Sequence, residues 1–325
     1  MKLRAEQLTG LYRAFITALG GSEDEAGAFA EQFVIADLRG MDWQGLKSLE
    51  RHVVGPIRDG VIRLGRPVDL VREGPSSVVL DAHGGLGHVA CRRAMAAAIE
   101  MAERTGTGSA AIHECGDTGL LGGYTTAAAE RDCVGIMFNN TNAYVAPWGG
   151  AERVMGIAPF SAAIPAGEAY PVLIDMSLAK ARPAFDEDAI WEPPFPTPPM
   201  LSFDTLREYA LTVMVELLAG GLADMPIGLD KERRGECGVF AIAVHIPHFT
   251  DPAAFRARVD RYVGHLKSAK RAGGVEEILL PGERGFRERD RRLRDGIPVS
   301  DEVWTNVVRL AEEVGVDWRT AAGIG

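Results

Sequence analysis

The pattern of apolar residues predicts an α/β protein built on a mixed sheet. Two observations carry that expectation. Helical periodicity occupies both ends of the chain, and the middle holds a β–α–β run followed by short apolar strands, in the order α–βαβ–β–α–β–α rather than a regular alternation. Near the start, Leu8, Leu11, Phe15 and Leu19 recur at helical spacing. A Gly-Gly-Ser break then precedes a second helix, for which Ser22 and Glu25 form a capping box. A third helix is expected from about Leu46 to Asp59, stopped by Gly60. Residues 76–81 (SSVVLD) and 108–114 (GSAAIHE) read as strands flanking a long helix over 88–106, which carries alanine at close-packing positions. A helix over 124–132 leads into three apolar strands, within 134–140, 156–165 and 170–177. A strongly apolar helix at 206–224, a strand at 238–246 and two or three further helices complete the chain. The composition suggests a helical part at 1–65, an α/β framework from 66–110 together with 250–325, and a sheet-rich part at 111–249.

The 325 residues are enough for a large core, and the formal charge of -10 would repel a phosphate backbone, so nucleic acid is not an expected partner. The arginine run from Arg284 to Arg294 is a local exception, read as a solvated helix face with acidic residues interleaved. Cys91, Cys115, Cys133 and Cys237 are scattered, with no pair at metal-ligand spacing, which suits reduced thiols in the cytoplasm. The first twenty residues read as an amphipathic helix rather than a signal peptide, and no run reaches the roughly 18 apolar residues that a membrane span needs. Residues 181–201 hold six prolines and read as irregular or extended.

One glycine pattern imitates a dinucleotide loop. Gly85-x-Gly87-x-x-Ala90 stands between a strand and a helix, but Glu100 and Glu103 fall inside that helix instead of at the end of a second strand. A glycine-rich turn is the better reading.

Several segments in order along the chain carry a resemblance: ADLRGMDWQGL (36–46), IRDGVI (57–62), LDAHGGLGHVACRRAM (80–95), GDTGLLGGY (116–124), NNTNAYVAPWGG (139–150), GIAP (156–159), LIDMS (173–177), MVELLAGGL (214–222) and LLPGERG (279–285). With them the chain resembles the type-2 malate/L-lactate dehydrogenase family, which includes sulfolactate, ureidoglycolate, diketogulonate and cyclic-imine reductases. The resemblance implies a non-Rossmann fold with a mixed, largely antiparallel sheet between helical N- and C-terminal parts. It also implies a homodimer, an NAD or NADP coenzyme and a small-molecule acid substrate. The helices at 209–222 and 89–103 could supply the dimer face or ordinary core.

Reducing a 2-oxo acid requires hydride delivery, a proton donor near the oxygen and a cation for the carboxylate. The family's Ser-His-Gly element becomes Trp43-Gln44-Gly45 here, and the arginine that follows becomes Ser48. An amide donates hydrogen bonds but cannot release a proton near neutrality. A second family histidine falls on Asp117, the Gly-Thr-Asn-Pro element becomes Gly156-Ile157-Ala158-Pro159, and a Lys-Gly pair becomes Arg207-Glu208. By resemblance the catalytic positions are Gln44, Asp117 and Asp175. The coenzyme would lie along Asp175, Met176, Ser177, Arg207, Pro281, Gly282 and Glu283, with the Pro147–Gly150 turn nearby. Trp43, Ser48 and Asn140 would face the substrate, and no metal is implied. Asp117 or the neighbouring His113 would have to supply the proton.

Three readings stay open: a rebuilt NAD(P)-dependent reductase of small 2-oxo or imino acids, a non-redox lyase, hydratase or isomerase on the same scaffold, or a silent ligand-binding relative that has lost the coenzyme.

Overall fold

The computed structural model describes residues 1–181, 201–233 and 235–324; the proline-rich segment falls almost wholly outside them. Helices α1 (Ala5–Ala18) and α2 (Glu23–Arg39) lead the chain. The capping box at Ser22 and Glu25 forms, with the serine hydroxyl accepting from the Glu25 amide and the glutamate accepting from the Ser22 amide. Beyond α2 the expected third helix breaks into turns over 42–48, a wide π-turn (Glu50–Val54) and a short α3 (Gly55–Arg58). The physical cause of the break is a buried carboxylate. Asp37 accepts from the Leu46 amide at 3.0 Å and from the Tyr12 hydroxyl, pulling the chain into a tight turn that only a glycine at 45 permits.

The seven-stranded sheet has the order β2-β3-β4-β10-β5-β6-β7, from strands β2 (Asp69–Glu73), β3 (Ser77–Asp81), β4 (Thr107–Cys115), β5 (Cys133–Asn139), β6 (Pro159–Ile164), β7 (Val172–Ser177) and β10 (Cys237–His245). Only β3 and β4 pair in parallel, joined by α4 (Gly87–Thr105). All other neighbours are antiparallel, so the sheet is mixed and largely antiparallel as expected. Two-residue ladders join β1 (Lys2–Leu3) to β11 (Ile297–Pro298) and β8 (Lys180–Ala181) to β9 (Leu201–Ser202).

Both sheet faces are covered, and β10 shows how its alternation serves them. Val239, Ala241 and Ala243 pack with α4 and α5 (Leu121–Glu130), whereas Phe240 and Ile242 pack on the opposite side with α6 (Leu206–Glu216) and the π-turn that ends it. The alanine stripe of α4 (Ala90, Ala94, Ala98, Ala102) is wholly buried and lets the helix lie close on β4. A methyl group on Gly108 would come 2.0 Å from the Ala98 carbonyl oxygen. Four helices close the chain: α7 (Pro252–Ser268), α8 (Glu283–Asp295), α9 (Asp301–Val314) and α10 (Trp318–Ala322). Leu8, Phe15, Phe29 and Phe33 of α1 and α2 share one core with Val307 and Leu310 of α9.

Arginines of α8 do more than solvate a face. Arg292 is buried and donates to the Asp37 carbonyl at 2.6 Å, and Arg289 lies over the Phe286 ring.

Candidate functional site

The β4–α5 loop places Asp117 opposite His52 of the π-turn, with Nδ1 3.5 Å from Oδ2, both side chains roughly one-third open to solvent (27% and 34%). Asp117 also accepts the Gly119 amide at 2.8 Å, closing an Asx-type turn whose Gly119 has φ 61°. Burial pulls the Asp117 carboxyl upward. The hydrogen bond and charge of His52, the nearness of His88 and the Gly119 amide outweigh it and hold the group at about 2, so Asp117 is an anion at neutral pH. His88, at the start of α4, is wholly buried against Phe29 and Phe33, and neither ring nitrogen has a partner. Burial lowers it to about 4, leaving it neutral.

Asp175 stands on β7 and accepts the Gly122 amide of α5 at 2.8 Å. A carboxylate at a helix start satisfies an otherwise orphaned N–H and complements the helix dipole. Burial, opposed by that amide and the charge of Arg39, raises Asp175 to about 6. Asp175 thereby fixes the helix whose leading loop carries Asp117.

The other predicted residues divide sharply. Trp43 is exposed and Gln44 half-buried on the turn after α2. Ser48 is buried, with its hydroxyl donating to the Gly45 carbonyl at 3.0 Å. Asn140 is also buried, its amide donating to the Pro226 carbonyl and accepting from the Gly238 amide, so both functions are engaged by backbone. Ser177 donates to the Ile157 and Ala179 carbonyls, Met176 is half-exposed beside it, and Arg207 lies open in the first turn of α6. Pro281, Gly282 and Glu283 tie α8 to its neighbours. The Pro281 carbonyl accepts from Leu173, Gly282 (φ 82°) packs on Leu173, and the buried Glu283 accepts from Lys267, Arg287 and the Leu280 amide. Among the described residues no hydrogen bond or ion pair joins Gln44, Asp117 and Asp175 to one another.

His113 lies on β4, and among the described residues no hydrogen bond or ion pair joins it to Asp117. The sequence reading passed over His52. Its signal was its place four residues after Ser48, one helical turn beyond the position where relatives carry an arginine. The glycine loop resolves as a close approach of two chain segments. Methyl groups at Gly87 and Gly116 would meet the carbonyl oxygens of Asp117 and Gly85 at 2.4 Å.

An arginine-rich cleft of about 420 Å3 runs between the end of α2 and α8, with Arg284, Arg287, Arg291 and Arg292 on its wall beside Glu277 and Glu288. Arg292 links it to the Trp43–Gln44 turn through Asp42, at 3.1 Å. Among the described residues, no group of three or more His, Cys, Asp or Glu side chains is placed to hold a metal. No helix among them is long and apolar enough to cross a membrane. All four cysteines are free.

The mixed, largely antiparallel sheet is shared with solved dehydrogenase structures. The malate/L-lactate dehydrogenase family matches residues 3–184 and 198–308, and the chain belongs to that family. It is 30% identical to a malate dehydrogenase of Pyrococcus abyssi, over 97% of this chain and 96% of the relative. It is also 30% identical to the malate/(S)-sulfolactate dehydrogenase of Methanothermus fervidus, over 98% and 99%. The solved structure of malate dehydrogenase from Pyrococcus horikoshii OT3 superposes with a TM-score of 0.87 at 29% identity, covering 98% of this chain and 96% of that one.

Proposed function

We propose that the chain is a diverged NAD(P)-dependent oxidoreductase of small 2-oxo, 2-hydroxy or imino acids, in which His52, held by Asp117, moves the proton that Gln44 cannot. The observation that carries the reading is the His52–Asp117 pair. An ionised carboxylate beside Nδ1 selects the tautomer protonated there and strengthens Nε2 as a proton acceptor, the logic of carboxylate–histidine couples generally. Contacts of this kind are often long before substrate binds. Asp175 contributes by fixing α5, and hence the loop of Asp117. Gln44 and Trp43 stay on the rim as hydrogen-bond and apolar contacts.

The cleft along α8 suits the coenzyme by charge. Five arginines (Arg39, Arg284, Arg287, Arg291 and Arg292) line it against two glutamates, on a chain of net charge -10, and Arg284 has no ion-pair partner among the described residues. Arg284, Arg287 and Arg291 would hold the phosphates, and the exposed Met176 offers an apolar surface. The coenzyme when bound supplies the hydride. Pro281, Gly282 and Glu283 then act by holding α8 in place rather than by touching the ligand.

Titration of NADH and NADPH fluorescence, followed by a panel of 2-oxo and cyclic imino acids, tests the proposal. The expected result is coenzyme binding and turnover, with His52→Gln slower by about 10²–10⁴-fold in kcat and Asp117→Asn also impaired. Full activity in His52→Gln, or no binding at millimolar coenzyme, would overturn it.

A further inference from the structure

A second cavity, of about 310 Å3, is bounded by the chain after α3, the turn after β3, the end of β4 and the turn before β10. That volume lies at the lower end of small-molecule sites, roughly 300–1,000 Å3. Both walls continue the chain of the candidate site. Glu114 precedes Asp117 by three residues, and Asp59 follows His52 by seven along the same helical run.

Two guanidiniums share one carboxylate on the cavity wall. Glu114 Oε2 is 3.5 Å from Arg63 Nη2, and Oε1 is 3.3 Å from Arg233 Nη2. Charge-assisted bonds of this type run at about 2.7–2.9 Å, so both contacts are slack and each arginine keeps donors to offer. Arg233 is steadied by Glu236 at 3.0 Å. Arg63 is steadied by Gly84, whose backbone it overlies so closely that a methyl group there would come 2.4 Å from Nη2. Glu114 holds φ 41° and His83 on the adjoining turn holds φ 50°, a left-handed conformation that is strained for a side-chain-bearing residue. Such strain persists where surrounding structure enforces it, and it concentrates at ligand sites.

We propose that this cavity binds the anionic group of a small acid, a carboxylate or a phosphate, clamped between Arg63 and Arg233, with Glu114 as the internal occupant that yields to it. The proposal deepens the reductase reading, on which it rests for the identity of the acid as substrate, by supplying the cation that Ser48 cannot. The carboxyl groups of Glu114, Glu236 and Asp59 outnumber the two arginines on the cavity wall, so an incoming anion competes directly with Glu114. The ligand does not add to a vacant cation.

Calorimetric titration of the full chain with succinate, acetate and inorganic phosphate, without coenzyme, tests this. The expected result is millimolar binding by the natural protein, binding at least tenfold tighter in Glu114→Gln, and at least tenfold weaker in Arg63→Gln and in Arg233→Gln. Arg233 is largely exposed, so its variant should fold. Preference for phosphate over both carboxylates would assign the site to a phosphorylated acid, and the reverse order to a simple carboxylic acid. Equal affinities in the natural protein and both arginine variants, or no binding by either the natural protein or Glu114→Gln, would overturn the proposal. The test is independent of redox activity. Anion binding without NADH binding keeps this site and removes the reductase reading, whereas turnover with KM unchanged in both arginine variants removes this site alone.

Discussion

Gly45 has room for a hydrogen and no more, because a methyl group there would lie 2.0 Å from Asp37 Oδ1. Gly45→Ala should therefore destabilise the fold by about 1–3 kcal/mol, read as a lower urea midpoint. It should also disturb the Trp43–Gln44 turn that Asp37 anchors. Glu216 makes a second residue-scale case. It is buried, neither carboxylate oxygen has a partner in hydrogen-bond geometry, and burial, opposed by the charge of Lys231, raises it to about 7. Its folded pKa lies above the unfolded value, so the folded state binds the proton more tightly. Its contribution is fully present below about 4.5 and is lost as pH rises through about 7. Glu216→Gln should flatten the stability profile between those values and raise stability at pH 8 by roughly 1–3 kcal/mol. A profile as steep as that of the natural protein would contradict this. At this scale the sequence showed that Gln44 cannot shuttle a proton, and it did not show that His52 faces Asp117. That pairing depends on where a broken helix meets a loop more than sixty residues away.

At the scale of elements, most helices and strands were legible because their apolar periods are clean. The wide π-turn at Glu50–Val54 was not, because the carboxylate that bends the chain there comes from α2. Before β6, Ala158 adopts φ 46° in a wholly buried position. Relatives' Gly-Thr-Asn-Pro pattern offers asparagine there, which tolerates this backbone better. Ala158→Gly should be neutral or stabilising, by up to about 1 kcal/mol, where an alanine-to-glycine change normally costs stability. A loss of more than that in urea unfolding would show that the Ala158 methyl packs more than it strains. On α4, the contact between Ala98 and Gly108 leaves no slack. Ala98→Leu should cost about 1–3 kcal/mol or more by forcing the helix off β4.

For the whole molecule, α6 and its continuation present an apolar surface that nothing in a single copy covers among the described residues. Leu206, Met214 and Leu217 are each more than half exposed. Two copies meeting there would account for it, so sedimentation of the natural chain is expected to give a dimer, and Met214→Glu with Leu217→Glu a monomer. A monomeric natural chain would remove the homodimer from the functional reading. The sequence by itself determined the α/β class and the mixed sheet, because these follow from local periodicity and from the order of the elements. Only the tertiary structure decided that Asn140 and Ser48 are enclosed by backbone, that Asp175 anchors a helix, and that His52 stands beside Asp117. Burial and pairing are set by which distant segments pack together, and no local pattern encodes that.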